Sequence, residues 1–210
     1  MLLPSLPIFS AAGAEFLENY QRDTPVLWSP DDLAAQRDFV RAQVAGCDWL
    51  DWSTPAAALQ LAAAATGQVP AGPAQESEAV VLAGPIVELL EPLALFSQAR
   101  GPLGPGGRLV GIMPCLRDNS PESDLFIHHA KAELWPYYTA EELLEMLRET
   151  AWQIESPACG FASIPRFNLA VLNDQLAFKG FNRVFARLSA EGYDPLEVGW
   201  GELRFVADLA

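Results

Sequence analysis

His128 and His129 are the only histidines in the chain, and they adjoin within Pro114 to Tyr138, a stretch that reads as a long loop. Imidazole exchanges its proton near neutral pH, so either ring suits a general base. Cys115, Asp118, Asp124 and Glu133 lie near them in sequence and are metal-ligating types, but their spacing matches no metal motif. Adjacent loop histidines are also ordinarily solvated, so base and surface residue both stand as readings. Tyr137 and Tyr138 follow, where a tyrosine either reaches a ligand or closes the base of a loop; Trp135 has the latter role. The glycines of Gly101 to Gly107 have the composition of a phosphate-cradling loop, yet they precede a strand and lack the strand-before, helix-after context such a loop needs. They read as a turn. GxSxG, HExxH and P-loop patterns do not occur.

The elements that must position these groups alternate between strand and helix. Met1-Leu2-Leu3 reads as a short strand and Ser10 to Arg22 as a helix. Pro25 to Trp28 follows as a second strand. Ser29-Pro30-Asp31-Asp32 is a strong helix start, with a capping hydroxyl, a proline where no N–H is needed, and two acids against the positive helix end. Cys47 to Trp52 suits a third strand, and Thr54-Pro55 opens an alanine-rich helix that stops at Gly67. Ala79-Val80-Val81-Leu82-Ala83 is the best buried strand, short, apolar and bounded by turn residues. A helix over 93–100, a fifth strand over 108–113 and a sixth over 152–154 follow. Thr139-Ala140-Glu141-Glu142 is a capping box that opens a helix. Residues 168–191 read as helical, and the alternation in Glu202 to Ala207 predicts an antiparallel edge strand. Strands alternating with helices imply a mostly parallel sheet covered on both faces, in a single domain over residues 1–210.

Composition narrows the partners. The chain has 210 residues, enough for one full hydrophobic core. With 13 Lys+Arg against 27 Asp+Glu the net charge is −14, which argues against nucleic acid or an anionic membrane surface as a partner. Met1 to Phe9 is apolar but short, lacks a basic start and contains Pro4 and Pro7, so it does not read as a signal peptide. No apolar run reaches a membrane span. Cys47, Cys115 and Cys159 are odd in number and form no CxxC pair, which predicts reduced thiols in a cytoplasmic protein.

Gly104-Pro105-Gly106-Gly107-Arg108-Leu109-Val110-Gly111-Ile112 resembles the Pro-Gly-Gly turn before the fifth strand of class I S-adenosylmethionine-dependent methyltransferases. Tyr137 to Leu144 is similar to that family's run into its next helix, Ala79 to Leu95 to its fourth strand and following loop, and Leu27 to Leu33 to the end of its second strand and the helix start behind it. The resemblance covers most of residues 1–156. It implies a Rossmann-like α/β fold, with a mostly parallel seven-stranded sheet, helices on both faces and an antiparallel edge strand. It also implies S-adenosylmethionine as cofactor, lying across the carboxyl ends of the first strands, with segments 114–138 and 157–195 on the substrate side. Ligands of open α/β sheets sit beyond the strand carboxyl ends in general.

The same resemblance assigns cofactor-binding positions. The loop after the first strand falls on Leu3 to Gly13, where Gly13 is the one glycine and no acid precedes Glu15. The second strand ends in Trp28, which either stacks on an adenine or packs under a helix, where the family has an acid for the ribose. Asp51 stands for the acid after the third strand, near the adenine, and Gly84 follows the fourth strand. A hydrogen bond to a charged group contributes roughly 1.5–3 kcal/mol, so two lost anchors weaken binding by about two to four powers of ten. The sequence thus predicts a methyltransferase-like protein with impaired S-adenosylmethionine binding, acting as a binding protein for a small molecule or a protein partner. The alternative is an active methyltransferase on a small molecule, in which the sulfonium donor needs mostly positioning and His128 or His129 takes a proton. An α/β protein of unrelated activity is the third reading, since fold alone does not fix function.

Overall fold

Seven consecutive residues, Ser77 to Ala83, are buried except for Glu78. Such a run fits a strand covered on both faces. The computed structural model describes residues 30–51, 76–83, 92–132, 137–155, 160–163 and 179–210. In chain order these form α1 (Pro30–Val44), β1 (Trp49–Asp51), β2 (Ser77–Ala83), α2 (Pro92–Gln98), β3 (Leu103–Leu116), α3 (Pro121–Ala132), α4 (Ala140–Glu149), β4 (Trp152–Ile154), β5 (Gly160–Ser163), α5 (Lys179–Ala190) and β6 (Trp200–Leu209). The sheet order is β1-β2-β3-β6-β4, with β5 also on β6. β1, β2 and β3 are parallel, and β6 runs antiparallel to β3, β4 and β5.

Side-chain alternation divides the core by sheet face. Ala79, Val81, Ala83, Val110 and Ile112 pack with Trp49 and with Val40 and Val44 of α1. Val80, Leu82, Leu109 and Met113 point the other way, onto Leu95 and Phe96 of α2 and Leu143 and Leu147 of α4. Leu143 and Leu147 are one turn apart, the spacing that keeps one helix face on the sheet. Trp152 joins this layer and its indole N–H donates to the Phe96 carbonyl at 3.1 Å.

Four expectations change. The antiparallel strand is present but interior: β6 pairs with β3 along one side and with β4 and β5 along the other, so Glu202 is buried and Arg204 and Asp208 are only partly exposed rather than at a solvated edge. The fifth strand begins at Leu103, inside the expected turn. Ser77 pairs with Leu103 but Ala79 with Arg108, so Gly104 to Gly107 bulge out of the ladder, with Gly106 at a φ of +74° that favours glycine. Residues 114–138 are not one loop, because β3 continues to Leu116 and α3 occupies 121–132. Finally, the strand expected third pairs directly with β2, through Trp49 with Ala79 and Asp51 with Val81. Six strands lie among the described residues; the expected strands at 1–3 and 25–28 lie outside them.

Candidate functional site at the carboxyl ends of the strands

The three parallel strands end at different heights. Asp51 ends β1 beside Val81, and Ala83 ends β2 beside Ile112. β3 runs on to Leu116, about 13 Å further at about 3.3 Å per residue. Along that extension it stays paired with Trp200 to Leu203 of β6, which in turn carries β5. A ribbon of β3, β6 and β5 therefore rises as a wall beside the ends of β1 and β2. β1 pairs directly with β2, so Asp51 lies at the carboxyl end of the parallel strand beside it.

The wall carries charge. Glu202 is 1% exposed and paired in register with Pro114. One of its oxygens accepts from the Gln36 amide of α1 at 2.5 Å, the other from Arg204 Nε at 2.6 Å. Burial of such a carboxylate is tolerable because both oxygens are occupied. On the opposite face Cys115 is buried, and its thiol is pushed up to about 12 from 9.0. Burial is the main cause; the Glu202 charge adds to it and a backbone hydrogen bond at Leu203 opposes it. It is a core group, not a nucleophile. Next comes Arg117, exposed, with its guanidinium 5.5 Å from the Phe161 ring centroid and donating to Ser163 Oγ at 2.5 Å.

Beyond the wall, Leu116 N donates to the Tyr138 carbonyl at 3.0 Å and Leu116 bridges Thr139. Thr139 starts α4 with the expected capping box: Thr139 Oγ1 accepts from Glu142 N, and the Glu142 carboxylate accepts from Thr139 N. Tyr137 is buried, with Phe126, Phe185 and Trp200, in an aromatic cluster that seats α3 and α5 against the wall.

The sequence-predicted site residues separate. Gly13, Trp28 and Gly84 lie outside the described residues; Asp51 is described at the end of β1. His128 and His129 lie on α3, in a helix rather than a loop. His129 is taken up by Glu191, at 2.8 Å, which joins α3 to the end of α5, while His128 is exposed. Asp118 Oδ1 accepts from Ser120 N and Ser120 Oγ from Ser123 N, so both act in the turn that starts α3. Among the described residues no three of His, Cys, Asp and Glu converge as a metal site, and no helix is long and apolar enough to cross a membrane. A cavity of about 250 Å³ lies at the other end of the sheet, lined by Cys47, Glu76, Glu78 and the Gly104–Arg108 bulge.

Sequence reasoning missed Gln36, Glu202, Arg204, Arg117 and Phe161. The Glu202-Leu203-Arg204 alternation was visible, but it signals a polar face and cannot say that α1 covers that face. Arg117 carries no local pattern at all.

No protein-family model matches the chain, and no match is found among the curated proteins. Solved structures do resemble it. A protein of Bacillus halodurans C-125 named as a methyltransferase is 14% identical, with 84% of this chain and 96% of that chain covered at a TM-score of 0.53. Geranyl diphosphate C-methyltransferase from Streptomyces coelicolor A3(2), in complex with Mg2+, geranyl diphosphate and S-adenosyl-L-homocysteine, is 12% identical, with 96% and 99% covered at a TM-score of 0.52. The chain has the Rossmann-like fold of the class I S-adenosylmethionine-dependent methyltransferases.

Proposed function

We propose that this chain is a methyltransferase-fold protein with a weakened hold on S-adenosylmethionine, working as a binding protein rather than a catalyst. The observation that carries the reading is the composition of the segment after β1. The strand beside β2 leads from Asp51 into Trp52-Ser53-Thr54-Pro55-Ala56, and no glycine occurs before Gly67. Glycines in such a loop let backbone N–H groups approach a ligand closely. Trp52 to Ala56 carry a side chain at every position and Pro55 has no N–H to give, a composition poorly suited to close backbone approach. The acid of the site is thus retained and its glycines are not. The residues present fit the cofactor only in part.

Asp51 also supports a second reading, an active methyltransferase on a small molecule. A carboxylate at the end of the strand beside β2 is suited to an ammonium group, and it is one more anchor than Leu3 to Gly13 offers. In that reading positioning does most of the catalysis, and His128, the more exposed imidazole, takes the proton.

Calorimetric titration with S-adenosylmethionine and with S-adenosylhomocysteine separates the two. No heat at millimolar ligand supports the binding-protein reading. Micromolar binding overturns it and puts the enzyme first.

A further inference from the structure

We infer that Arg117 is an anion-recognition residue at the ligand-binding end of the sheet, taking the carboxylate or phosphate of a small molecule. The inference rests on the reading that the carboxyl ends of the strands are the ligand-binding end.

Arg117 is the first residue past β3, so the wall itself delivers it to that end. Its backbone is fixed, because Arg117 N donates to the Gly199 carbonyl at 2.7 Å. The surroundings leave room for the side chain. A Cβ on Gly199 would sit 3.1 Å from the Arg117 Cβ, and a Cβ on Gly201 would run into the Phe161 ring. The two glycines clear a shelf on which Phe161 lies over the β6 backbone and the guanidinium lies over Phe161, 5.5 Å from its centroid. Ser163 Oγ, in register with Gly201, accepts from one guanidinium nitrogen at 2.5 Å.

These contacts orient the guanidinium without neutralising it. Arg41, Arg108 and Arg204 each pair with a carboxylate. Arg117 has no carboxylate partner among the described residues, although acids outnumber bases 27 to 13 in the chain. A guanidinium has five N–H donors in a rigid fork, and Ser163 takes one. The remaining edge matches the two oxygens of a carboxylate or phosphate. Pre-orientation by a ring face and a hydroxyl lowers the ordering cost of that contact. Height sets what the site can reach: Arg117 stands five residues past Ile112, about 17 Å beyond the end of β2 at about 3.3 Å per residue, so a ligand that also enters the crevice above β1 and β2 is an extended one with its anionic group at the far end. A protein of charge −14 repels anions at long range, so capture of one requires such a local cation.

The probes are inorganic phosphate and acetate, each titrated at constant ionic strength against protein labelled for observation of the arginine Nε–H resonances. A saturable shift of the Arg117 resonance is expected. R117Q weakens phosphate binding by about tenfold or more, R117K by less, since the charge stays and the fork is lost. Tighter phosphate or tighter acetate binding supports the inference equally and tells which oxyanion the site prefers. Circular dichroism of both variants checks folding, and S-adenosylhomocysteine calorimetry on the same samples tests the methyltransferase reading separately. Phosphate binding at Arg117 supports the anion site whether or not S-adenosylhomocysteine binds. An unsaturable Arg117 response, or phosphate binding equal in R117Q and wild type, overturns it.

Discussion

Gln36 on α1 donates a 2.5 Å hydrogen bond to the Glu202 carboxylate on β6, joining two ends of the chain across 166 residues. The bond lies where the sheet face would otherwise expose a charge. Arg204, on the same strand, contacts the other oxygen of Glu202 through Nε and NH2. One carboxylate thus fixes a helix and an arginine at once.

Glu202→Ala leaves both donors without their acceptor under α1. The Arg204 side chain keeps 21% exposure, so water recovers part of the loss. Breaking a buried pair costs about 3–5 kcal/mol, and the low end, about 3 kcal/mol, is expected here. Urea unfolding measures it. Glu202→Gln keeps an acceptor for one partner and should lose less. A midpoint equal to wild type in Glu202→Ala would mean that α1 is held by its apolar face alone.

Cys115 gives a pH signature. The unfolded chain releases the thiol proton near the ordinary 9.0, the folded chain only near 12. Between those values the folded state binds more protons, so stability from this group is fully present below pH 9 and is lost as pH rises toward 12. The slope is about 1.4 kcal/mol per pH unit. The difference in unfolding free energy between wild type and Cys115→Ala should shrink along that slope. A constant difference would show that the thiol titrates normally. In the native protein at pH 8, alkylation should also spare Cys115.

Gly111 and Phe205 face each other across the β3–β6 ladder. The Phe205 ring fills the space that a Cβ on Gly111 would need, and meets Phe96 edge-on at 6.3 Å. Gly111→Ala therefore overpacks the core, at a cost of about 3 kcal/mol. The thermal midpoint should fall by several degrees. Gly111→Ala with Phe205→Leu should recover part of the loss. An unshifted Gly111→Ala melt would contradict this packing.

Elements with a strong local pattern were legible in the sequence. The Ala79–Ala83 run, the Thr139 capping box and the short Trp152–Ile154 strand all lie where their residues predict. Neighbours were less legible. Cys47 to Trp52 reads correctly as a strand, but nothing within it says that its partner is β2, because parallel pairing is fixed by the connection and the covering helices. Glu202 and Arg204 look solvated because alternation reports polarity and not what packs on it. The 114–138 segment was read as loop through its polar start, although Phe126, Ile127 and Ala130 carry the i, i+1, i+4 spacing of a buried helix face. Of the expected cofactor positions, Asp51 is placed at a strand end beside β2, a neighbour that the linear order of elements does not reveal.

Thr139 links the wall to α4, so its cap is a test of how that end of the sheet is held. Its hydroxyl accepts from Glu142 N at 3.2 Å, and the Glu142 carboxylate returns to Thr139 N at 2.7 Å. Thr139→Ala removes the first bond and keeps the second. Loss of a capping hydroxyl costs about 1 kcal/mol, and Thr139, with 0% exposure, offers water no route to replace it. Thermal unfolding should show that loss, and Thr139→Ser should restore most of it. Hydrogen exchange locates the effect: the Glu142 amide should exchange faster in Thr139→Ala, while the Leu116 amide, held by the Tyr138 carbonyl, should be little changed. Equal acceleration at both amides would mean that the substitution releases the whole Tyr138–Thr139 segment from β3, and that the cap and the bridge form one cooperative unit.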